Sequence, residues 1–193
     1  MKESYSQYRI RRLIASRKEL MGQPEILEKN LKEKEPTLEE IAIECQNRNI
    51  DKIVMIGCGD SYFSGITVKY GLQKITGLNI NAVEAYEFAN YYYNNYDENT
   101  LVFCISSSGE TPAVVKSAEK ANEVGAFTVA VTNTLESSIV DQTEKVLRVE
   151  ATREGWPTQA STAVIGLFLK FGLILGEKAG YNIEDISYKE ANN

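Results

Sequence analysis

The 193-residue sequence contains no histidine. It therefore lacks the side chain that titrates nearest neutrality, which is also the commonest metal ligand. Any proton transfer must fall to Glu, Asp, Lys, Tyr or a group from another chain. Cysteine is scarce: Cys45, Cys58 and Cys104 form no CxxC pair, and each lies in an apolar stretch. They read as small buried hydrophobes in a reducing, cytoplasmic setting, not as a disulfide or metal framework. No carboxylates cluster at ligand spacing, so neither a metal nor a cofactor is expected. The chain lacks an excess of positive charge. A net charge of −6 argues against a nucleic-acid surface, which needs a basic face. No stretch offers the roughly 18 apolar residues expected of a membrane helix; the run from Ala163 to Leu175 is broken by Gly166, Lys170 and Gly172. Nor does the N-terminus carry the continuous apolar segment of a signal peptide.

What is present suits one soluble domain with a helical arm. Hydrophobic residues make up 43% and charged residues 25%, enough to bury a core without staples. Residues 1–50 read as a charged helical arm, residues 51–182 as the domain, and 183–193 as a tail. From Met1 to Met21, Lys2, Arg9, Arg11, Arg12, Arg17 and Lys18 stand against only Glu3 and Glu19. Pro24 can open a helix over 25–34. Pro36-Thr37 is expected to break it, with Thr37 and Glu40 as a capping box for the next helix. Beyond residue 52 short strand patterns take over: Ile53–Ile56, a continuous apolar run, then Ile80–Ala85, Leu101–Ile105, Phe127–Val131 and Val146–Val149. Helical patterns separate them, over 61–76, 86–93, from Pro112 to Gly125, a short one opened by Ser137-Ser138, and 159–178. Five such alternations predict a doubly wound α/β sandwich with a five-stranded parallel sheet.

Ligands of open parallel sheets bind beyond the carboxyl ends of the strands. Two loops there carry polar residues: Gly57-Cys58-Gly59-Asp60-Ser61 after the first strand, and Ser106-Ser107-Ser108-Gly109-Glu110-Thr111 after the third. Each runs straight into a helix, whose unpaired N–H groups and dipole favour an anion. One serine there would be an ordinary cap. Three in a row, with Gly109 and Thr111, exceed what a cap needs. They form a phosphate cradle built from hydroxyls and amides without Lys or Arg. A dinucleotide site is the alternative for the first loop. Gly57 and Gly59 give a GxG and Glu84 lies at ribose distance, but Tyr62 holds the third glycine position, so the fingerprint is incomplete.

The same residues carry a family likeness. Ile56-Gly57-Cys58-Gly59-Asp60-Ser61-Tyr62 with Gly65 resembles the first glycine turn of sugar isomerase (SIS) domains. Ser106 to Thr111 resembles their S-x-S-G-E-T loop. Ala85-Tyr86-Glu87-Phe88 resembles an A-S-E-F segment, Ala160-Ser161-Thr162 an A-S-T segment, and Glu19–Pro24 the arm that precedes the isomerase half of glucosamine-6-phosphate synthases. The likeness covers about residues 18–178. It implies a phosphosugar ligand, with Gly59, Ser61, Ser106, Ser107, Ser108, Gly109 and Thr111 around the phosphate, and Gln159 and Ser161 near the sugar. Glu110 would orient the turn. The pattern also departs from the family. Only one SIS domain fits, Ala163 stands where the synthase has Lys, and Lys2 stands where a glutaminase would have its Cys.

Two functions follow from that resemblance. One is an aldose–ketose isomerase or deglycase on a 6-phosphosugar; the other is a domain that binds and senses such a sugar without chemistry. For the first, a homodimer or a second SIS domain would supply the missing half. A broad apolar stripe of Ile66, Val68, Leu72, Val164, Leu167, Phe168 and Phe171 is expected to contact it, with the arm crossing over. Glu84, Glu87 or, foremost, Glu154 of the neighbour would then offer the catalytic carboxylate.

Overall fold

A computed structural model describes residues 4–156 and 158–180. Five strands, β1 (Lys52–Gly57), β2 (Asn79–Glu84), β3 (Thr100–Ile105), β4 (Phe127–Thr132) and β5 (Lys145–Arg148), form one parallel sheet in the order β2-β1-β3-β4-β5. In β1 and β3 the apolar runs are continuous because both faces of the sheet are covered there, whereas β2, at the edge, carries Asn81 and Glu84. In β1, Ile53 and Met55 join one core with Leu38, Ile41 and Phe168, while Val54 and Ile56 join another with Phe88, Val114 and Ala118. Successive side chains point to opposite faces of a strand, which produces this split. Helices α3 (Glu35–Asn47), α4 (Asp60–Thr76) and α8 (Gln159–Lys178) cover the first face, with α2 (Gln23–Glu33) packed on α8. Helices α5 (Ala85–Glu87), α6 (Pro112–Glu123) and α7 (Ser138–Asp141) cover the second. Helix α1 (Tyr5–Met21) precedes them all.

Several expectations need correction. Helix α3 begins at Glu35, with Pro36 inside its first turn and Thr37 within the helix; no side chain caps Lys34. A first-turn proline lacks only an N–H that would be unpaired anyway, so Pro36 opens the helix instead of breaking the chain. The helix expected over 86–93 is one turn of α5, then a π-helical turn at Phe88–Tyr92 and a 3₁₀ turn at Tyr93–Asn95. The boundary at residue 50 marks no gap in packing, since Leu38, Ile41, Ala42 and Cys45 of α3 lie in the main core. The tail, 183–193, lies outside the described residues.

The last helix carries two corrections. Gln159–Lys178 is long and apolar enough to cross a membrane by length and composition, contrary to the reading that no stretch is. Its apolar surface is nevertheless spent inside the protein. Val164, Leu167, Phe168 and Phe171 are buried, with Phe103 of β3 at 4.9 Å and 5.3 Å from the Phe168 and Phe171 ring centroids. Val68 and Leu72 of α4 are buried as well. The stripe expected to meet a partner is thus internal core, because α2, α3, α4 and the sheet together surround α8. Of those seven residues, Ile66 alone is exposed.

Candidate functional site

In this strand order, β1 and β3 are neighbours whose following helices, α4 and α6, pack on opposite faces. The crevice left at such a switch point is where open α/β sheets bind ligands. The register sets Gly57 beside Ile105, so the two polar loops leave the sheet side by side. Gly59, at φ 54°, is the N-cap of α4, one residue before Asp60 and two before Ser61.

The serine loop is anchored from beneath. Ser106 donates its backbone N–H to the Val131 carbonyl at 3.0 Å. The Ser107 carbonyl accepts from the Asn133 N–H at 3.2 Å and from the Thr132 and Thr134 hydroxyls at 3.4 and 3.3 Å. That carbonyl and the Ser108 N–H belong to one trans peptide and point oppositely. Holding the carbonyl against the end of β4 therefore turns the N–H outward. Gly109 lies at φ 71°, where a Cβ would overlap the Ser137 hydroxyl; only glycine makes this turn without strain. Glu110 ties the loop to α7, accepting from the Ser138 N–H at 2.8 Å and hydroxyl at 2.7 Å. Those bonds hold its carboxyl below the usual carboxylate range.

Several donors remain in the loop. Ser106 Oγ lies 2.9 Å from Thr111 Oγ1 and 3.5 Å from Ser108 Oγ, so three hydroxyls form one linked group. Among the described residues, the backbone N–H groups of Ser107, Ser108 and Thr111 have no hydrogen-bond partner. The Gly109 N–H differs from expectation: it is already donated to Ser106, to the carbonyl at 3.0 Å and to Oγ at 3.2 Å. Thr111 is the N-cap of α6, with Pro112 at N1, so the positive end of the helix dipole faces the same place. No cation occurs in 57–61 or 106–111. The arrangement suits a dianion held by neutral donors.

The third segment arrives on α8. Gly172 lies against Leu72, Gly176 against Ile75, and Gly71 against Leu169, so α4 and α8 run parallel about one hundred residues apart in sequence. The same register carried back brings Ser161 level with Ser61 at the helix starts. Neither hydroxyl has a partner among the described residues. Gln159 departs from its expected role. Its side chain turns away, donating to the Glu19 carbonyl at 2.9 Å and accepting from the Thr152 N–H at 3.2 Å and hydroxyl at 3.0 Å.

The carboxylates expected to serve catalysis are placed unevenly. Glu84 is occupied, accepting from the Tyr86 and Glu87 N–H groups at 2.7 and 3.3 Å and from the Cys58 thiol at 3.1 Å. Burial, with the Glu84 carboxylate beside it, pushes Cys58 up to about 11. Glu154 is exposed beside a cavity of about 250 Å³ that is also lined by Lys18, Glu19, Glu25 and Gln159. It shares that cavity with none of the serine-loop residues. Sequence reasoning missed the supporting hydroxyls of Thr132, Thr134 and Ser138. The polar run Thr132-Asn133-Thr134 directly after an apolar strand was the available signal.

The SIS domain model matches residues 48–175. The chain belongs to the SIS domain family. A glutamine–fructose-6-phosphate aminotransferase (isomerizing) of Fusobacterium nucleatum is 32% identical over 182 residues, covering 90% of this chain and 29% of that protein. This SIS chain thus spans less than a third of that relative. Among solved structures, the C-terminal domain of glucosamine-fructose-6-phosphate aminotransferase from Francisella tularensis superposes with a TM-score of 0.75 at 22% identity, over 91% of this chain and 52% of that one. The Vibrio vulnificus NanR protein complexed with ManNAc-6P gives a TM-score of 0.66 at 20% identity, over 92% and 67%. At these identities the two structures establish the shared fold.

Proposed function

We propose that this SIS domain binds a phosphorylated sugar. Its phosphate would lie against the N–H groups of Ser107, Ser108 and Thr111 and the hydroxyls of Ser106, Ser107, Ser108 and Thr111, with Ser61 beside it and Ser161 toward the sugar. One observation carries the reading: three unpaired N–H groups and a linked hydroxyl cluster converge at the start of α6, at the switch point of the sheet. The family match and the relative that acts on fructose 6-phosphate support the sugar class. Titration calorimetry with fructose 6-phosphate tests it. Ser108→Ala with Thr111→Ala is expected to weaken binding by about 1–3 kcal/mol, the range for hydrogen bonds to a charged group. Unchanged affinity sinks the assignment.

The lineage points to aldose–ketose isomerisation or deglycation of a 6-phosphosugar, in which a carboxylate moves a proton between C1 and C2. Such a group would come from a second copy or a second SIS domain, because Glu84 and Glu110 are engaged in their own hydrogen bonds. The same observation, with the absence of histidine, favours a second reading, in which the domain binds and senses the sugar without turning it over. NanR, solved with a sugar phosphate, has the same fold. Turnover of fructose 6-phosphate by the purified chain separates the two. Three free cysteines fit a cytoplasmic setting for either.

A further inference from the structure

Between β5 and α8, Val149 to Trp156 and Thr158 form no regular structure. Much of their bonding is to α1, which is otherwise largely exposed. Glu19 is the buried residue of α1, at 3% exposure. Its carboxylate accepts from the Glu154 N–H at 2.7 Å and the Gly155 N–H at 3.2 Å. Ser16 Oγ accepts from the Trp156 N–H at 2.7 Å. Arg12 donates to the Gly155 carbonyl at 2.8 Å, with its guanidinium 5.3 Å from the Trp156 ring centroid. A Cβ on Gly155 would overlap the backbone of Ser16, so the two segments meet at backbone distance. Gln159, the first residue of α8, donates to the Glu19 carbonyl. Each of these bonds thus falls on the stretch that delivers Ser161.

We propose that Arg12, Ser16 and Glu19 are positioning residues that hold residues 154–156 and Gln159 on α1 and so fix Ser161 level with Ser61. This rests on the phosphosugar reading. A buried carboxylate that accepts two backbone N–H groups makes strong, directional bonds. Its loss leaves the buried Gly155 N–H and the part-buried Glu154 N–H without partners, and the segment must shift to rewet them. The serine loop is anchored separately, by β4 and α7, so it stays in place. The clamp therefore governs the sugar end of the site and not the phosphate end.

The test compares the full chain with Glu19→Ala and Glu19→Gln. Calorimetry with fructose 6-phosphate and with inorganic phosphate is read beside hydrogen exchange of backbone N–H groups. Glu19→Ala is expected to lose about tenfold in fructose 6-phosphate affinity, as for one or two hydrogen bonds lost, with inorganic phosphate unchanged. Exchange should rise over residues 154–156 and spread to 161–163, leaving 107–109 protected as before. Glu19→Gln, which keeps an acceptor oxygen, should recover most of both. Equal loss for the two ligands, or faster exchange confined to 154–156 with the affinity ratio intact, overturns the proposal. Failure of the unaltered chain to bind either ligand refutes the phosphosugar reading instead, and the exchange comparison still decides whether Glu19 holds the start of α8. If Glu19→Ala does not fold, Ser16→Ala removes a single acceptor and carries the same comparison.

Discussion

At the scale of single residues, the cradle works by satisfying every group that points inward and leaving those that point outward. The Ser107 carbonyl has three donors, and the N–H that follows it has none. Serine and glycine spacing made the loop legible in the sequence, but not which N–H would be free. Gly109 was read as a phosphate ligand through its N–H, which the Ser106 side chain and carbonyl already take. That depends on how the turn closes, and composition does not encode it. Cys58 illustrates the same point with a testable consequence. It lies between two glycines beside the site, where a reactive thiolate could be supposed. Burial and Glu84 instead raise its pKa to about 11, and the thiolate is the reactive form. Alkylation by iodoacetamide at pH 7.5 is therefore expected to be far slower for Cys58 than for a free thiol of ordinary pKa. Glu84→Gln removes the carboxylate's repulsion and should speed it. Rapid labelling of Cys58 in the unaltered chain would show that the thiol is not held as described.

At the scale of elements, strands were easier to read than the arm. β1 and β3 are apolar runs closed by polar or glycine residues, β2, β4 and β5 mix polar with apolar residues, and all five lie within about a residue of the spans read from the sequence. The arm hid its role because its decisive residues are polar. Glu19 and Asn30 are buried on helices that otherwise look like solvated faces. Asn30 grips Glu150 by two bonds, to its carbonyl at 2.8 Å and from its N–H at 2.9 Å. The Glu150 side chain lies 2.6 Å from Lys29 and 2.8 Å from Lys34. Hydrogen bonds to Lys29 and then Lys34 lower Glu150 to about 2, from an ordinary 4.5. A carboxyl depressed on folding contributes stability that is present above its unfolded pKa and lost as pH falls through the folded one. The urea midpoint is therefore expected to fall as pH drops from about 4.5 towards 2. Lys34→Met should flatten that fall while lowering the midpoint near neutrality. An identical acid profile in the variant would remove the Lys34 bond from the account.

At the scale of the whole molecule, the question is what covers the outer side of the α4–α8 pair. The stripe read from sequence as an interface is core, because three helices and a sheet close around α8; nothing in a one-dimensional stripe shows how many neighbours a helix will have. A different patch remains. Phe63, Ile66 and Tyr70 of α4 are exposed at 60%, 37% and 73%, with Leu169 and Leu173 of α8 at 38% and 39%. A Cβ on Gly71 would lie 3.7 Å from Leu169, so the two rows run side by side. No acidic residue occurs from Ser61 to Thr76 or from Gln159 to Gly176, although the chain carries 27 Asp and Glu. An apolar patch without acidic residues on an acidic protein is where a contact surface is expected. A two-fold axis would let the patch meet itself in a second copy, beside the helix starts that bear Ser61 and Ser161. There a neighbour could add the carboxylate that a proton transfer needs. Light scattering at micromolar concentration is expected to give twice the 21.6 kDa of one chain. Phe63→Glu with Tyr70→Lys should return it to a monomer, with phosphate binding retained because the cradle belongs to a single chain. A monomer in the unaltered protein, or a dimer that survives both substitutions, would remove this face as the place where the site is completed.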